Sequence, residues 1–272
     1  MPELPEVETV VRTLEHQIQN FEIKKVNVLY PKLIENYNVQ EFEKNLVGER
    51  FEKFKRRGKW LIFELSNYTL CVHLRMEGKF FVFDNNTQPL EQTECVFAFE
   101  NGKELHYNDT RRFGVFNLYR KNEELTCLND LGPEPWDENL TPDYLMAYCK
   151  KKRKPIKTQL LDQKMIVGIG NIYANEICWE CELHPEKPAN TLSKKEWEYI
   201  ITATRKILSL AIKNKGTTVR SYTSSLGVVG SNQFCLNVYG RDTENCRRCG
   251  DTIQYKKLQQ RGTFWCPNCQ KK

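Results

Sequence analysis

Met1-Pro2-Glu3-Leu4-Pro5-Glu6-Val7-Glu8-Thr9-Val10-Val11 opens the chain, and the rest of the sequence is organised around it. Proline suits the first position of a helix, because its missing N–H is one the helix leaves unpaired anyway. Glu3, Glu6 and Glu8 suit the positive end of the helix dipole. Val7, Val10, Val11, Leu14 and Ile18 then recur at helical spacing, so one face is apolar and packs inward. On these residues alone the stretch is a well-capped N-terminal helix.

A second reading follows from removal of the initiator Met1, which the small Pro2 permits. Pro2 then carries a free secondary amine. An α-amine titrates at about 7.7–8.0, so roughly a tenth of it is unprotonated at neutral pH, far more than for an ordinary lysine. Such an amine can attack a sugar C1′ and form a Schiff base, with Glu3 beside it as a proton donor. A retained Met1 would leave Pro2 as an amide. The opening resembles that of the formamidopyrimidine-DNA glycosylases, and the other motifs are weighed against that family below.

Composition sets the frame. The chain has 272 residues, enough for two domains, and a formal charge of +6 that favours an acidic partner. No run of 18 apolar residues occurs and the acidic start lacks a signal-peptide pattern, so a soluble cytoplasmic protein without a membrane partner is expected. The cysteines number 11. Cys71, Cys95, Cys127, Cys149, Cys178, Cys181 and Cys235 are scattered and read as small hydrophobes of a reducing compartment.

From Glu22 to about Arg120, short β-branched and aromatic runs alternate with turn residues, at Ile23–Val28, Trp60–Phe63, Leu70–Val72, Phe80–Phe83, Val96–Phe99 and Val115–Leu118. This rhythm predicts a β-sandwich. A polar, proline-bearing stretch from Lys121 to Pro142 reads as a linker. Helices are predicted at Pro142–Lys150, Pro155–Lys164, Asn171–Cys181 and Ser193–Lys215, the last opening on the capping box Ser193-Lys194-Lys195-Glu196. The expected class is α+β: an N-terminal helix with a β-sandwich over 1–130, a helical domain over 131–235 and a zinc-finger hairpin over 236–272.

Cys246-Arg247-Arg248-Cys249, sixteen residues, then Cys266-Pro267-Asn268-Cys269 is the strongest metal signal. Two such knuckles match a four-cysteine structural site for one Zn2+, closed to water and therefore not catalytic. Between Gly240 and Lys272 stand eight basic and three acidic residues, the balance of a phosphate reader.

The remaining motifs take their roles from the resemblance. Gly168-Ile169-Gly170-Asn171-Ile172-Tyr173-Ala174-Asn175-Glu176 is similar to the family's helix-two-turn-helix. There Asn171, capping a helix, and Tyr173 beside it would hold DNA phosphates. Arg261-Gly262-Thr263 resembles the arginine of the zinc-finger hairpin, Lys157 would contact a phosphate or the lesion, and Lys59 in Arg56-Arg57-Gly58-Lys59-Trp60 would point at the active site. Met76, in His73-Leu74-Arg75-Met76-Glu77-Gly78, joins Arg111 and Phe113, in Tyr107-Asn108-Asp109-Thr110-Arg111-Arg112-Phe113-Gly114. Together they would fill the gap left by an extruded base, a task that apolar wedges and a guanidinium suit. Glu77, with Tyr222 and Thr223 in a small-residue loop, would face that base.

The resemblance implies a bifunctional DNA glycosylase and AP lyase. It would excise oxidised purines from double-stranded DNA as a monomer, with Pro2, Glu3 and Lys59 catalytic. Two alternatives stay open on the residues: a relative resembling endonuclease VIII that prefers oxidised pyrimidines, and a damage-binding protein without chemistry if Met1 is retained. An RNA-associated zinc ribbon is disfavoured by the presence of every wedge residue.

Overall fold

The computed structural model describes residues 1–84, 87–217 and 230–271, in two compact units: Met1–Asn129 with Lys215–Gly230, and Asp130–Asn214 with Ser231–Lys272.

The first unit opens with helix α1 (Leu4–Ile18). Pro2 precedes this helix and Glu3 is its N-cap, so the helix starts two residues later than the proline suggests. The backbone N–H of Glu3 donates to Glu6 Oε2 at 2.9 Å, which satisfies a donor the helix cannot pair. Strand β1 (Ile23–Val28) and helix α2 (Val39–Leu46) follow, then β2 (Phe51–Arg57), β3 (Trp60–Leu65), β4 (Tyr68–His73), β5 (Lys79–Asp84), β6 (Thr93–Phe99), β7 (Lys103–Asn108) and β8 (Val115–Arg120). These form two antiparallel sheets of order β1-β6-β7-β5 and β2-β3-β4-β8.

A single core joins the sheets to the apolar face of α1, through Val7, Val10, Val11 and Leu14. Phe51 lies at its centre, with ring centroids of Phe63, Phe97 and Phe99 within 5.6–6.2 Å. Each such ring contributes roughly 1.5–3 kcal/mol by leaving water. Strands β2 and β7 and helix α2 lie outside the predicted runs, although Val39, Phe42 and Leu46 of α2 and Leu105 and Tyr107 of β7 pack on the core. In β2 charged residues stand between Phe51 and Phe54, and a register shift between Phe51 and Lys53 interrupts the alternation.

The second unit holds α3 (Pro142–Cys149), α4 (Ile156–Gln159), α5 (Asn171–Glu180), α6 (Lys194–Lys213) and the hairpin β9 (Gln254–Leu258) with β10 (Arg261–Trp265). Helix α6 opens on the expected box: Ser193 N donates to Glu196 Oε2 at 2.8 Å and Glu196 N to Ser193 Oγ at 3.3 Å. Helix α4 is a single turn, shorter than the spacing predicts. The cause is Asp162, whose carboxylate accepts from Tyr148 Oη at 2.8 Å, Gln159 Nε2 at 3.1 Å and Lys164 N at 3.1 Å, turning the chain. Trp179 of α5 packs in one cluster with Val238, Ile253 and Phe264, so the hairpin and helices share apolar cover. Among the described residues no helix is long and apolar enough to cross a membrane.

Candidate active site

In the first unit the start of the chain is enclosed. Pro2 and Glu3 are buried, and Glu3, Glu6, Lys59 and Glu77 all act electrostatically on the terminal amine, which here belongs to Met1. Burial lowers the pKa of that amine from its ordinary 8.0, and Lys59 lowers it further against the pull of the three carboxylates. The position therefore favours an uncharged nitrogen, the form in which an amine is nucleophilic.

Lys59 is delivered by the tight β2–β3 turn and is 6% exposed. Arg56 braces that turn. Its Nε meets Glu8 Oε2 of α1 at 2.9 Å and it donates to Gly58 O at 3.0 Å. Burial pushes the Glu8 carboxyl up, but Arg56 and Arg12 together hold it below the usual carboxylate value, so the brace stays ionised.

The two wedge segments are built around Tyr107. A Cβ on Gly114 would come within 1.8 Å of the tyrosine oxygen and one on Gly78 within 2.2 Å, so only glycine lets both loops close over it. In the first loop His73 Nδ1 accepts from Arg75 N at 3.0 Å. Burial, helped by Arg75 and Lys59, holds its pKa down at about 3, so the ring is the neutral acceptor that this bond requires. Met76 and Glu77 follow, half-exposed, and Glu77 accepts a hydrogen bond from Thr110 of the second loop.

The second loop wraps the carboxylate of buried Asp109, which accepts from Arg111 N at 2.9 Å, Phe113 N at 3.1 Å and Gly114 N at 2.9 Å. Arg111 is exposed and Phe113 is 50% exposed, with the guanidinium carbon 4.8 Å from the ring centroid. An exposed phenylalanine beside an exposed arginine suits insertion into a base stack.

In the second unit the glycine turn meets the hairpin. Gly170, not Asn171, is the N-cap of α5. Asn171 is the first helical residue, and its amide donates to Gly262 O at 3.1 Å while its Oδ1 accepts from Lys157 Nζ at 2.6 Å. Lys157 has no solvent exposure and also donates to Gly262 O at 3.2 Å, so it bridges the start of α5 and the hairpin turn. The side chain of Tyr173, two residues into the same helix, is likewise fully buried. Arg261 stands exposed beside Gly262 at the hairpin tip.

Sequence reasoning passed over Asn175 and Glu176 as functional positions. Asn175 Oδ1 accepts from Phe264 N at 2.8 Å, and Glu176 accepts from the backbone of Asn237, Val238 and Tyr239 at 2.8–2.9 Å. His73 and Asp109 lay inside quoted motifs, and Asp109 carried a signal: an aspartate before a turn takes backbone N–H groups a few residues on. Tyr222 and Thr223 lie outside the described residues.

The sulfurs of Cys246, Cys249, Cys266 and Cys269 lie within 4.8 Å of one another, with Cys249 and Cys266 at 3.4 Å and Cys246 and Cys269 at 3.9 Å. A tetrahedral zinc with bonds of about 2.3 Å needs sulfur separations of roughly 3.8 Å, so the set fits that ion. Trp179 Nε1 donates to Cys246 Sγ at 3.4 Å and steadies one ligand from outside. Cys178 and Cys181 belong to no such group among the described residues.

Residues 1–116 match the formamidopyrimidine-DNA glycosylase N-terminal domain, 131–223 its H2TH domain and 244–272 the zinc finger found in FPG and IleRS. The chain is 44% identical to a formamidopyrimidine-DNA glycosylase of Bacillus cereus over 273 residues, covering 99% of each. The chain belongs to the formamidopyrimidine-DNA glycosylase family. A counterpart from Listeria innocua is 45% identical over the whole of both chains. Among solved structures, the Lactococcus lactis Fpg bound to DNA containing an abasic site superposes with a TM-score of 0.93 at 37% identity, covering 99% of this chain and 100% of that one. The same organism's enzyme with DNA containing an oxidised pyrimidine superposes with a TM-score of 0.92 at 36% identity, covering all of both chains. This family of DNA glycosylases shares the helix-and-sandwich unit, the helix-two-turn-helix and the four-cysteine finger.

Proposed function

We propose that this chain is a bifunctional glycosylase and AP lyase that removes oxidised purines, such as 8-oxoguanine and formamidopyrimidines, from double-stranded DNA. One observation carries the reading: the start of the chain is enclosed with Glu3, Lys59 and Glu77 where burial favours an uncharged amine. Once Met1 is removed, the Pro2 nitrogen attacks C1′ of the damaged nucleoside and the bond to the base breaks. Glu3 protonates the opening sugar and the nitrogen becomes a Schiff base. Loss of the 3′ and then the 5′ phosphate by successive elimination leaves a one-nucleotide gap. Lys59 neutralises the phosphate beside the lesion.

Met76, Arg111 and Phe113 occupy the space the base leaves, with Arg111 reading the opposite cytosine and Glu77 facing the extruded base with Tyr222 and Thr223. Asn171 and Arg261 grip phosphates. Lys157 acts through Asn171 and Gly262, and Tyr173 packs beneath them. One Zn2+ on Cys246, Cys249, Cys266 and Cys269 holds the hairpin and takes no part in the chemistry. The labour divides as catalysis in 1–130, backbone grip and lesion cover in 131–235, and the finger in 236–272. The protein works as a monomer on cytoplasmic, nucleoid DNA.

The test is incubation with a duplex bearing 8-oxoguanine opposite cytosine, followed by borohydride. A covalent adduct with the wild type that is lost in Pro2→Gly is expected. No adduct, or an equal one in the variant, overturns the nucleophile. A panel including oxidised pyrimidines ranks the substrates, and their preference over purines would move the chain to the other branch.

A further inference from the structure

Lys150-Lys151-Lys152-Arg153-Lys154-Pro155-Ile156-Lys157 places six cations and no carboxylate in eight residues of the second unit. The run leaves the end of α3 and is held along a second segment by backbone hydrogen bonds. Asn190 N donates to Lys152 O at 3.2 Å, Ala189 N to Lys154 O at 3.0 Å and Ile156 N to Lys187 O at 2.8 Å. Lys152 folds back onto its own unit, its Nζ 3.6 Å from the ring centroid of Tyr148 and 3.5 Å from Asp162 Oδ2. Lys150, Lys151, Arg153 and Lys154 are exposed and meet no carboxylate among the described residues. Other exposed lysines of this unit are neutralised, Lys164 by Asp130, Lys194 by Asp143 and Lys206 by Glu180. The run therefore keeps the charge that carboxylates cancel at those positions.

The run ends at Lys157, whose ammonium is bonded to Asn171 and to Gly262, the neighbour of Arg261. Four residues of extended chain reach at most about 14 Å, so Arg153 stands within that distance of Lys157 along the backbone. That span matches about four base pairs of duplex at 3.4 Å each. We propose that Lys150, Lys151, Arg153 and Lys154 form a second contact for the backbone of duplex DNA, gripping phosphates to one side of those held at Asn171 and Arg261. The contact rests on the glycosylase reading above, which supplies DNA as the polyanion. Like charges crowded on one face repel one another, and a row of phosphates relieves that repulsion while its condensed counterions are released. The braced backbone holds the four cations on one stretch, which lowers the ordering cost that a loose basic tail would incur on binding. Phosphate contacts carry no sequence information, so the strip adds affinity for flanking DNA without choosing the lesion.

To test this, the zinc-loaded full-length protein is titrated by fluorescence anisotropy with three duplexes bearing a tetrahydrofuran abasic analogue, which cannot form a Schiff base. One is a short duplex just covering the lesion, and the others are extended by about one helical turn, roughly 10 bp, at one end or at the other. Extension at one end alone should tighten binding and steepen the slope of log affinity against log salt by about 2–4, up to about 0.9 for each of the four cations. In the combined variant Lys150→Ser, Lys151→Ser, Arg153→Ser and Lys154→Ser that gain should vanish, while affinity for the short duplex and excision of 8-oxoguanine from it stay unchanged. Arg153→Lys keeps the charge and should keep the gain. No gain at either end, an equal gain at both, a gain that survives the combined variant, or a loss on the short duplex as large as on the long one would overturn the proposal. A wild type that binds none of the three duplexes would overturn the glycosylase reading and the contact with it.

Discussion

The backbone N–H of Thr217 donates to Glu6 Oε1 at 2.7 Å, joining residues 211 apart in sequence. The other oxygen of the same carboxylate accepts from Glu3 N at 2.9 Å. Glu6 thus positions both the chain start and the segment leading to residue 218.

Glu6→Ala leaves both N–H groups without this acceptor, at about 1–3 kcal/mol each. Gly216 sits at φ +76°, and a Cβ there would lie 2.8 Å from Glu6 Oε1 and 3.2 Å from Glu6 Cα. Gly216→Ala should cost at least about 1–2 kcal/mol in urea unfolding. In both variants excision should fall further than DNA affinity, and equal losses would detach Glu6 from the chemistry.

The lowered pKa of the terminal amine sets a pH profile. The nucleophile acts unprotonated, so the rate rises with pH through its folded pKa and then levels. With burial carried over to Pro2 after processing, the midpoint of single-turnover borohydride trapping should fall below the ordinary 8.0. A midpoint at or above that value would remove the electrostatic argument.

Glu94 lies at the bulge of β6 and is 1% exposed. Neither carboxyl oxygen has a hydrogen-bond partner among the described residues, and the side chain of Asn108 is in the same state. Burial first, then repulsion from Asp109, raises the Glu94 pKa from 4.5 to about 7. A raised carboxyl costs nothing below its unfolded pKa, and its cost grows as pH rises until it is complete above the folded one. Glu94→Gln should therefore gain on the wild type between pH 5 and 8, by about 2–3 kcal/mol in unfolding free energy. A difference independent of pH would contradict the assignment.

Elemental analysis should find one zinc per chain. Because Trp179 donates to Cys246 Sγ, stripping the ion with a chelator, or Cys249→Ser, should change tryptophan emission as well as weaken DNA binding. Arg261→Ala, with zinc retained, should reduce the slope of log affinity against log salt by about 1. An unchanged slope would take Arg261 off the phosphate.

The features legible in the sequence were those whose partners lie close along the chain. The box at Ser193 and Glu196, the core-facing stripe of α1 and the paired CxxC knuckles each need only a fixed spacing, and local geometry does the rest. Strand β2 escaped because Glu52 and Lys53 stand between its two phenylalanines and break the alternation, and β7 because only Leu105 and Tyr107 mark it among polar neighbours. The burial of Lys157 escaped because a lysine's surroundings are set by residues far away. Asn171 and Gly262 gave it acceptors that no nearby residue announces.

By itself the sequence determined the class of the fold, the metal-binding quartet and the family, because periodicity, turn chemistry and ligand spacing are local properties of the chain. Only the tertiary structure decided that Glu6 would hold Thr217, that Asp109 would shape the wedge loop and that the terminal amine would be desolvated. Each depends on which distant groups burial brings into hydrogen-bonding or Coulombic range, and that is settled when the core closes.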